Sequence, residues 1–435
     1  MAVRVPALRR AAQTLVRGRP RLPARVTAGR RRLLAFIGVL GPGLIAANAG
    51  NDAGGIATYS SVGAKYGFDL LWMMVLITFS LAMVQMLAAR MGVVTGKGLA
   101  DLIRENYGVR WSAFATLAVV VANTGICLSD FVGVGAAAGL AGVPTQVSVP
   151  LAAIVVWSII VRGSYRAAER IFVAMTIPFF AYPIAAVLAH PKWGEVGKAI
   201  VAPHIHTSSA YLLLFIATAG TTVTPYMQLY LQSAVVERGV REEDLPKEQR
   251  EAVAGAIFAD LVAAFIIIAT GATLYRHGIH DIGSAAEAAK ALVPFAGSYA
   301  EVLFGLGLAG ASLLAVAILP IATSYAISES LGFEKGIGRG REAPVFVGII
   351  TAIIAICAGV AMVPGIPVIG LLVGVQVVNG VLLPINLFFI WRLSRNRELM
   401  GERRNRGALD LLAAATVVVT SSLSIALVII TILGL

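Results

Sequence analysis

Cysteine, charge and histidine are all scarce in this 435-residue chain, and each scarcity removes a class of protein. Two cysteines, Cys127 and Cys357, are too few for a disulfide framework, and they fall in different apolar segments. A thiolate metal site is therefore not expected, and buried structural thiols are. Charged residues make up 13% of the chain against 58% hydrophobic, which excludes an ordinary soluble domain. The period-two alternation of a membrane β-barrel is absent. No nucleophile with its base and no phosphate-cradling loop occurs, so an enzyme is not expected.

What is present is a succession of apolar runs about 20 residues long, the length that crosses a bilayer as a helix. They predict an all-α integral membrane protein with spans near 35–66, 70–94, 112–140, 146–162, 170–190, 209–236, 251–275, 298–328, 344–363, 367–392 and 408–434. Thirty of the 35 Lys and Arg fall on the side of the N-terminus and five (Lys65, Lys192, Lys198, Arg276, Lys290) on the other. That asymmetry supports eleven spans, a cytoplasmic N-terminus and a multi-pass place in the inner (plasma) membrane. The net charge of +12 is thus topological and lipid-facing, and nucleic acid is not an expected partner. Residues 1–33 hold ten Arg and no acid and read as a basic cytoplasmic arm rather than a transit peptide; no cleavable signal peptide is expected. The organisation continues as 34–190 (spans 1–5), an outer loop 191–208, 209–394 (spans 6–10), and 395–435 (cytoplasmic loop and span 11). Segment 97–107, KGLADLIRENY, is amphipathic and is expected to lie along the membrane surface.

Two spans contain their own interruptions. Span 1 carries AANAGNDAGGIATYS, with poor helix formers and a carboxylate at Asn51–Gly55. Span 6 carries FIATAGTTVTPYMQLYLQS, where Pro225 removes a backbone donor. Broken helices at corresponding positions of two inverted five-span halves are the sequence sign of a transporter site near the bilayer midplane. Only Asp52, Asp130 and Asp260 place ionisable groups well inside spans, and each costs about 2.5–3.5 kcal/mol there, so each needs a reason. Asp52 at a helix break, beside freed carbonyls, reads as a cation site. Asp130 and Asp260 read as structural or vestibule residues. The stripes Asn123 with Asp130, and Gln376 with Asn379, are either interhelical hydrogen bonds or part of the site. The candidate ligands Asp52, Thr224, Gln228, Gln376 and Asn379 all offer oxygen, which suits a hard ion, and one carboxylate leaves room for retained water, as Mg²⁺ prefers. Met227 is the one soft candidate, and all five histidines lie in or beside predicted outer segments.

GPGLIAANAGNDAGGIATYSSVGAKYGFDLLW resembles the first helix of the Nramp divalent-metal transporters, in which G-P-G precedes a D-P-G-N motif. The likeness continues through GLADLIRENYG, YRAAERIFVAM, PYMQLYLQS, QVVNGVLLPINLFF and NRELMG, in order along nearly the whole chain. It implies a leucine-transporter-type fold of two inverted repeats (5+5) with helices 1 and 6 broken around the ion. Matched to the family motifs, Asp52 is kept, the asparagine ligand becomes Gly55, and M-P-H becomes Thr224-Pro225-Tyr226. Ala49 and Thr221 fall where the family supplies carbonyl ligands, and Gln376 matches its helix-10 glutamine. The family's second helix-6 histidine becomes Gln232, and its two span-3 glutamates become Asn123 and Gly133. This set of departures resembles the prokaryotic, Nramp-related magnesium branch.

The sequence thus predicts a monomeric secondary transporter importing Mg²⁺, and Mn²⁺ with it, by alternating access without proton coupling and without a resident cofactor. Its expected metal ligands are Asp52, Thr224, Gln228, Gln376, Ala49, Thr221, Gly55 and Tyr226. The alternatives are a proton-coupled Mn²⁺/Fe²⁺ importer using Met227 and Asp130, an organic-substrate carrier, and a membrane receptor or scaffold. A lone carboxylate would repel the carboxylate of an amino-acid substrate, and a scaffold leaves the paired breaks unexplained.

Overall fold

The computed structural model describes residues 42–163, 165–206, 208–282, 298–338, 342–365 and 368–433. The basic arm, the start of span 1 and most of the 276–297 linker lie outside them. Every regular element among the described residues is helical: α1 (Pro42–Ala49), α2 (Ala53–Tyr66), α3 (Leu71–Thr95), α4 (Leu99–Tyr107), α5 (Val109–Leu140), α6 (Thr145–Arg162), α7 (Tyr165–Ala174), α8 (Ala181–Leu188), α9 (Trp193–Val201), α10 (Ser209–Thr222), α11 (Pro225–Glu237), α12 (Leu245–Thr273), α13 (Ser298–Leu331), α14 (Pro344–Ala361), α15 (Val368–Arg395), the single turn α16 (Arg397–Met400) and α17 (Ala408–Leu433). Ten stretches are long and apolar enough to cross a membrane, and the divided first span, α1 with α2, adds to them.

Both expected breaks form, for different local reasons. α1 ends at Ala49, and Asp52 adopts an extended backbone (φ −66°, ψ 179°) whose carboxylate caps α2 by accepting the Gly55 N–H at 2.5 Å. In span 6, Thr224 is extended (φ −80°, ψ 142°) because the ring of Pro225 disfavours the helical region for the residue before it. Pro225 then occupies the first position of α11 and has no N–H to give the Thr221 carbonyl. A third interruption was not expected. Span 5 is divided by a turn at Met175–Thr176 and a 3₁₀ stretch, Ile177–Phe180, because Pro178 cannot continue the helical ladder.

α12 packs on α1, α2 and α3, α13 on α5, α10 on α15, and α15 on α17. The α10–α15 crossing is backbone on backbone. A side-chain carbon at Gly220 would lie 2.5 Å from both the Gln376 carbonyl oxygen and the Gly380 nitrogen. Segment 97–107 differs from its expectation: α4 buries Leu99, Leu102 and Ile103 against α5 and α13, so its apolar face meets protein rather than the bilayer surface. Beside it, buried Glu329 accepts from Ser233 Oγ (2.6 Å) and pairs with Lys335 (3.0 Å), which also reaches Asp101 (2.5 Å). Burial works against the Lys335 charge, but Glu329 and Asp101 more than offset it and hold the ammonium above its ordinary range. The two cysteines are buried free thiols, yet their different spans do not separate them. Cys357 Sγ of α14 donates to the Thr124 carbonyl of α5 (3.5 Å), one turn from Cys127.

Gly220→Val inserts branched carbon where two backbones touch. Overpacking of this kind costs about 1–3 kcal/mol or more, and a lowered melting temperature of the purified protein relative to wild type is the expected outcome.

Candidate metal site

Asp52 is fully buried at the gap between α1 and α2, and its carboxylate is held by backbone and amide donors. Besides the Gly55 N–H, both oxygens accept from Gln376 Nε2, at 2.9 and 3.1 Å. Among the described residues, no basic side chain pairs with it. A buried carboxylate without a cationic partner is a costly arrangement that a bound cation relieves. The approach of Gln376 depends on Gly54, where a side-chain carbon would lie 2.4 Å from the amide nitrogen.

The break of span 6 converges on the same place. Gly50, in the gap, gives its carbonyl to Thr221 Oγ1 at 3.2 Å. The Tyr226 hydroxyl donates to the Ala49 carbonyl at 2.5 Å, joining the last residue of α1 to the first turn of α11. Asn51 Nδ2 anchors the gap to the Ala259 carbonyl of α12 (2.8 Å), and Tyr59 of α2 bonds the Thr222 hydroxyl (2.9 Å). Asn379 Nδ2 donates to the Gly220 carbonyl at 2.6 Å. Thr224 Oγ1 and both amide atoms of Gln228 are buried without a hydrogen-bond partner. Orphaned polar atoms of this kind are unusual in a folded interior and mark a place where something polar is received.

The predicted residues therefore fall into three groups. Asp52, Gln376, Thr221, Ala49 and Tyr226 are joined by direct contacts or by contact with the gap. Thr224 and Gln228 are buried on and beside the first turn of α11 with unused oxygen. Gly55 behaves differently from expectation. The space of its missing side chain is closed, because a carbon there would lie 2.7 Å from the Gly50 carbonyl and 2.8 Å from Thr221 Oγ1. In this conformation Gly55 permits a close approach of the Gly50 carbonyl and the Thr221 hydroxyl.

Met227 does reach the break. A side-chain carbon at Gly50 would sit 1.7 Å from its Cε and 3.4 Å from its Sδ, so the thioether covers Gly50. Sequence reasoning missed Gly54, Asn51 and Tyr59 as supports. The consecutive glycines 54–55 were the available signal for the first, whereas the partners of the other two are distant in sequence. Among the described residues, no group of three or more His, Cys, Asp or Glu is placed to hold a metal. Asp130 accepts the Ala53 N–H at 2.8 Å, Asn123 donates to Thr323 Oγ1 at 2.9 Å, and Asp260 faces the Thr78 hydroxyl of α3.

Comparison with known proteins agrees with this architecture. The sequence model of the Nramp family, described as natural resistance-associated macrophage protein-like, matches residues 43–430. The chain is 32% identical over 397 residues to the divalent metal cation transporter MntH of Ralstonia nicotianae, covering 86% of each chain. Its fold matches the crystal structure of the Eremococcus coleocola manganese transporter with a TM-score of 0.75 at 16% identity, over 93% of this chain and 87% of that one. The amino-acid-bound structure of MhsT follows with a TM-score of 0.60 at 12% identity, over 89% and 97%. This chain belongs to the Nramp family. It is a multi-pass membrane transporter of the leucine-transporter-type fold and not an enzyme. The named relative is a MntH protein, and no magnesium branch is singled out by these matches.

Gly54→Ala displaces the Gln376 amide from Asp52. Isothermal titration with a divalent metal ion is expected to give an affinity lowered by about three- to tenfold, the scale of the ~1 kcal/mol net worth of one polar contact, because the Gln376 oxygen is displaced with the amide, and the melting temperature is expected to change little.

Proposed function

We propose that this chain carries divalent metal ions across the inner membrane by alternating access, with Asp52 as the one charged ligand. The observation that carries the reading is a buried carboxylate without a basic partner at the meeting of two helix breaks, with unused buried oxygen at Thr224 and Gln228. Ala49 and Thr221 would add carbonyls. Tyr226 would have to release the Ala49 carbonyl first, and the Gln376 amide would have to turn its oxygen inward. A gap between half-helices, bound to supports on α12 and α15, is suited to opening toward one side at a time. The basic side would face the cytoplasm, and import would run toward it.

Mn²⁺ is the ion this reading holds with most support. The relatives' names, a divalent metal cation transporter and a manganese transporter, lean that way. So does Met227, whose thioether reaches Gly50 and suits a transition metal better than an alkaline-earth ion. Proton-coupled Mn²⁺/Fe²⁺ import, with Asp130 carrying the proton, is the form of it the sequence analysis held as an alternative. A second reading adds Mg²⁺ and dispenses with protons. It is favoured by the donor set, one carboxylate with hydroxyl and amide oxygens, and by Asn123 and Gly133 standing where the resemblance would place acids.

Proteoliposome uptake with a lumenal pH indicator, alongside titration of Mg²⁺, Mn²⁺ and Ca²⁺, separates these readings. Asp52→Ala is expected to abolish Mn²⁺ binding and uptake; uptake that survives it removes the site assignment. Met227→Ala is expected to weaken Mn²⁺ binding several-fold and leave any Mg²⁺ binding unchanged. Wild-type Mg²⁺ uptake without lumenal acidification selects the second reading, and its absence selects the first.

A further inference from the structure

α5 presses on the start of α2 at two points. Asp130 Oδ1 accepts the Ala53 N–H at 2.8 Å, and Gly133, one turn further on, is where Ala53 itself packs. A side-chain carbon at Gly133 would lie 2.4 Å from Ala53 Cβ and 2.6 Å from Ser312 Oγ, so position 133 admits only hydrogen while Ala53 stands there. Residues three apart on a helix share a face, so both contacts come from one surface of α5. In a continuous helix the Ala53 N–H would go to the Ala49 carbonyl. The break removes that acceptor, which receives the Tyr226 hydroxyl instead. Ala53 N–H is therefore one of the orphan donors that begin α2, and Asp130 satisfies it from another helix.

We propose that Asp130 is a positioning residue for the metal site. Together with Gly133 it clamps the first peptide of α2 and so aims the carboxylate of the residue immediately before it, Asp52. The inference rests on the reading of Asp52 as the charged ligand. It assigns Asp130 a role in holding backbone, distinct from carrying protons. One of its oxygens is committed to Ala53, Asn123 two turns away is bonded to Thr323, and Gly133 has no side chain to extend a relay.

The clamp requires an acceptor at position 130 and does not require a charge. Mn²⁺ uptake is measured in proteoliposomes for Asp130→Asn and Asp130→Ala, with KM and maximal rate separated and the melting temperature recorded. Asparagine offers the same oxygen, and D130N is expected to keep KM within about twofold of wild type. D130A removes the acceptor, and its KM is expected to rise about tenfold, the usual scale for loss of a helix-start hydrogen bond, with maximal rate and melting temperature changing less. D130N as impaired as D130A overturns the inference, and so does D130A with wild-type KM. Should D130A fail to fold, Gly133→Ala carries the test: its KM is expected to rise, and Ala53→Gly in the same chain to restore it in part. Wild-type kinetics in G133A overturn the clamp. Intact uptake in D52A removes the site reading itself, a result independent of these variants.

Discussion

A carboxylate taken out of water with no basic side chain to meet it sets the terms for everything around it. Asp52 is bound from its own chain by the Gly55 N–H and from α15 by the Gln376 amide, donors that orient the charge without cancelling it. The gap that holds it needs residues that leave the helix easily. It also needs an acceptor for each N–H the gap strands, and a neighbour small enough to allow close approach. Gly50, Asp130 and Gly54 meet these needs in turn. Remove the carboxylate and the breaks, the glycines and the buried amides lose their common reason.

The fold was legible because membrane spans are written in composition. Among the described residues the long apolar runs became helices, whole or divided, with ends such as those of α6 at 145–162 and α14 at 344–361 within a few residues of those expected. The breaks at Asp52 and Pro225 were legible because proline and poor helix formers act locally. Pro178 carries the same local signal as Pro225, yet its 3₁₀ turn went unexpected, since it stands near the end of a span with no polar neighbours to draw notice.

The site was legible residue by residue and less so in its geometry. Spacing and resemblance pointed to Asp52, Thr224 and Gln376 as candidates, but the hydrogen bond of Asp130 to Ala53 joins positions 77 apart, and Gln376 to Asp52 joins positions 324 apart. Such pairings are decided by tertiary packing. The same limit explains Gly55 and the cysteines. The resemblance placed Gly55 among the ligands, while its close neighbours, the Gly50 carbonyl and the Thr221 hydroxyl, come from tertiary packing. Thiols on distant spans proved to be neighbours because α5 and α14 lie side by side.

The meeting of Gly220 with Gly380 has a kinematic consequence. Two backbones in contact, tied further by Asn379 on the Gly220 carbonyl, cannot slide past one another as side-chain-padded helices can. Movement of α10 would then carry the middle of α15 with it. Gln376 rides on that stretch, so any swing of α10 that uncovers the gap also withdraws an amide from Asp52. Opening the path and loosening the grip on the carboxylate would then be a single mechanical event.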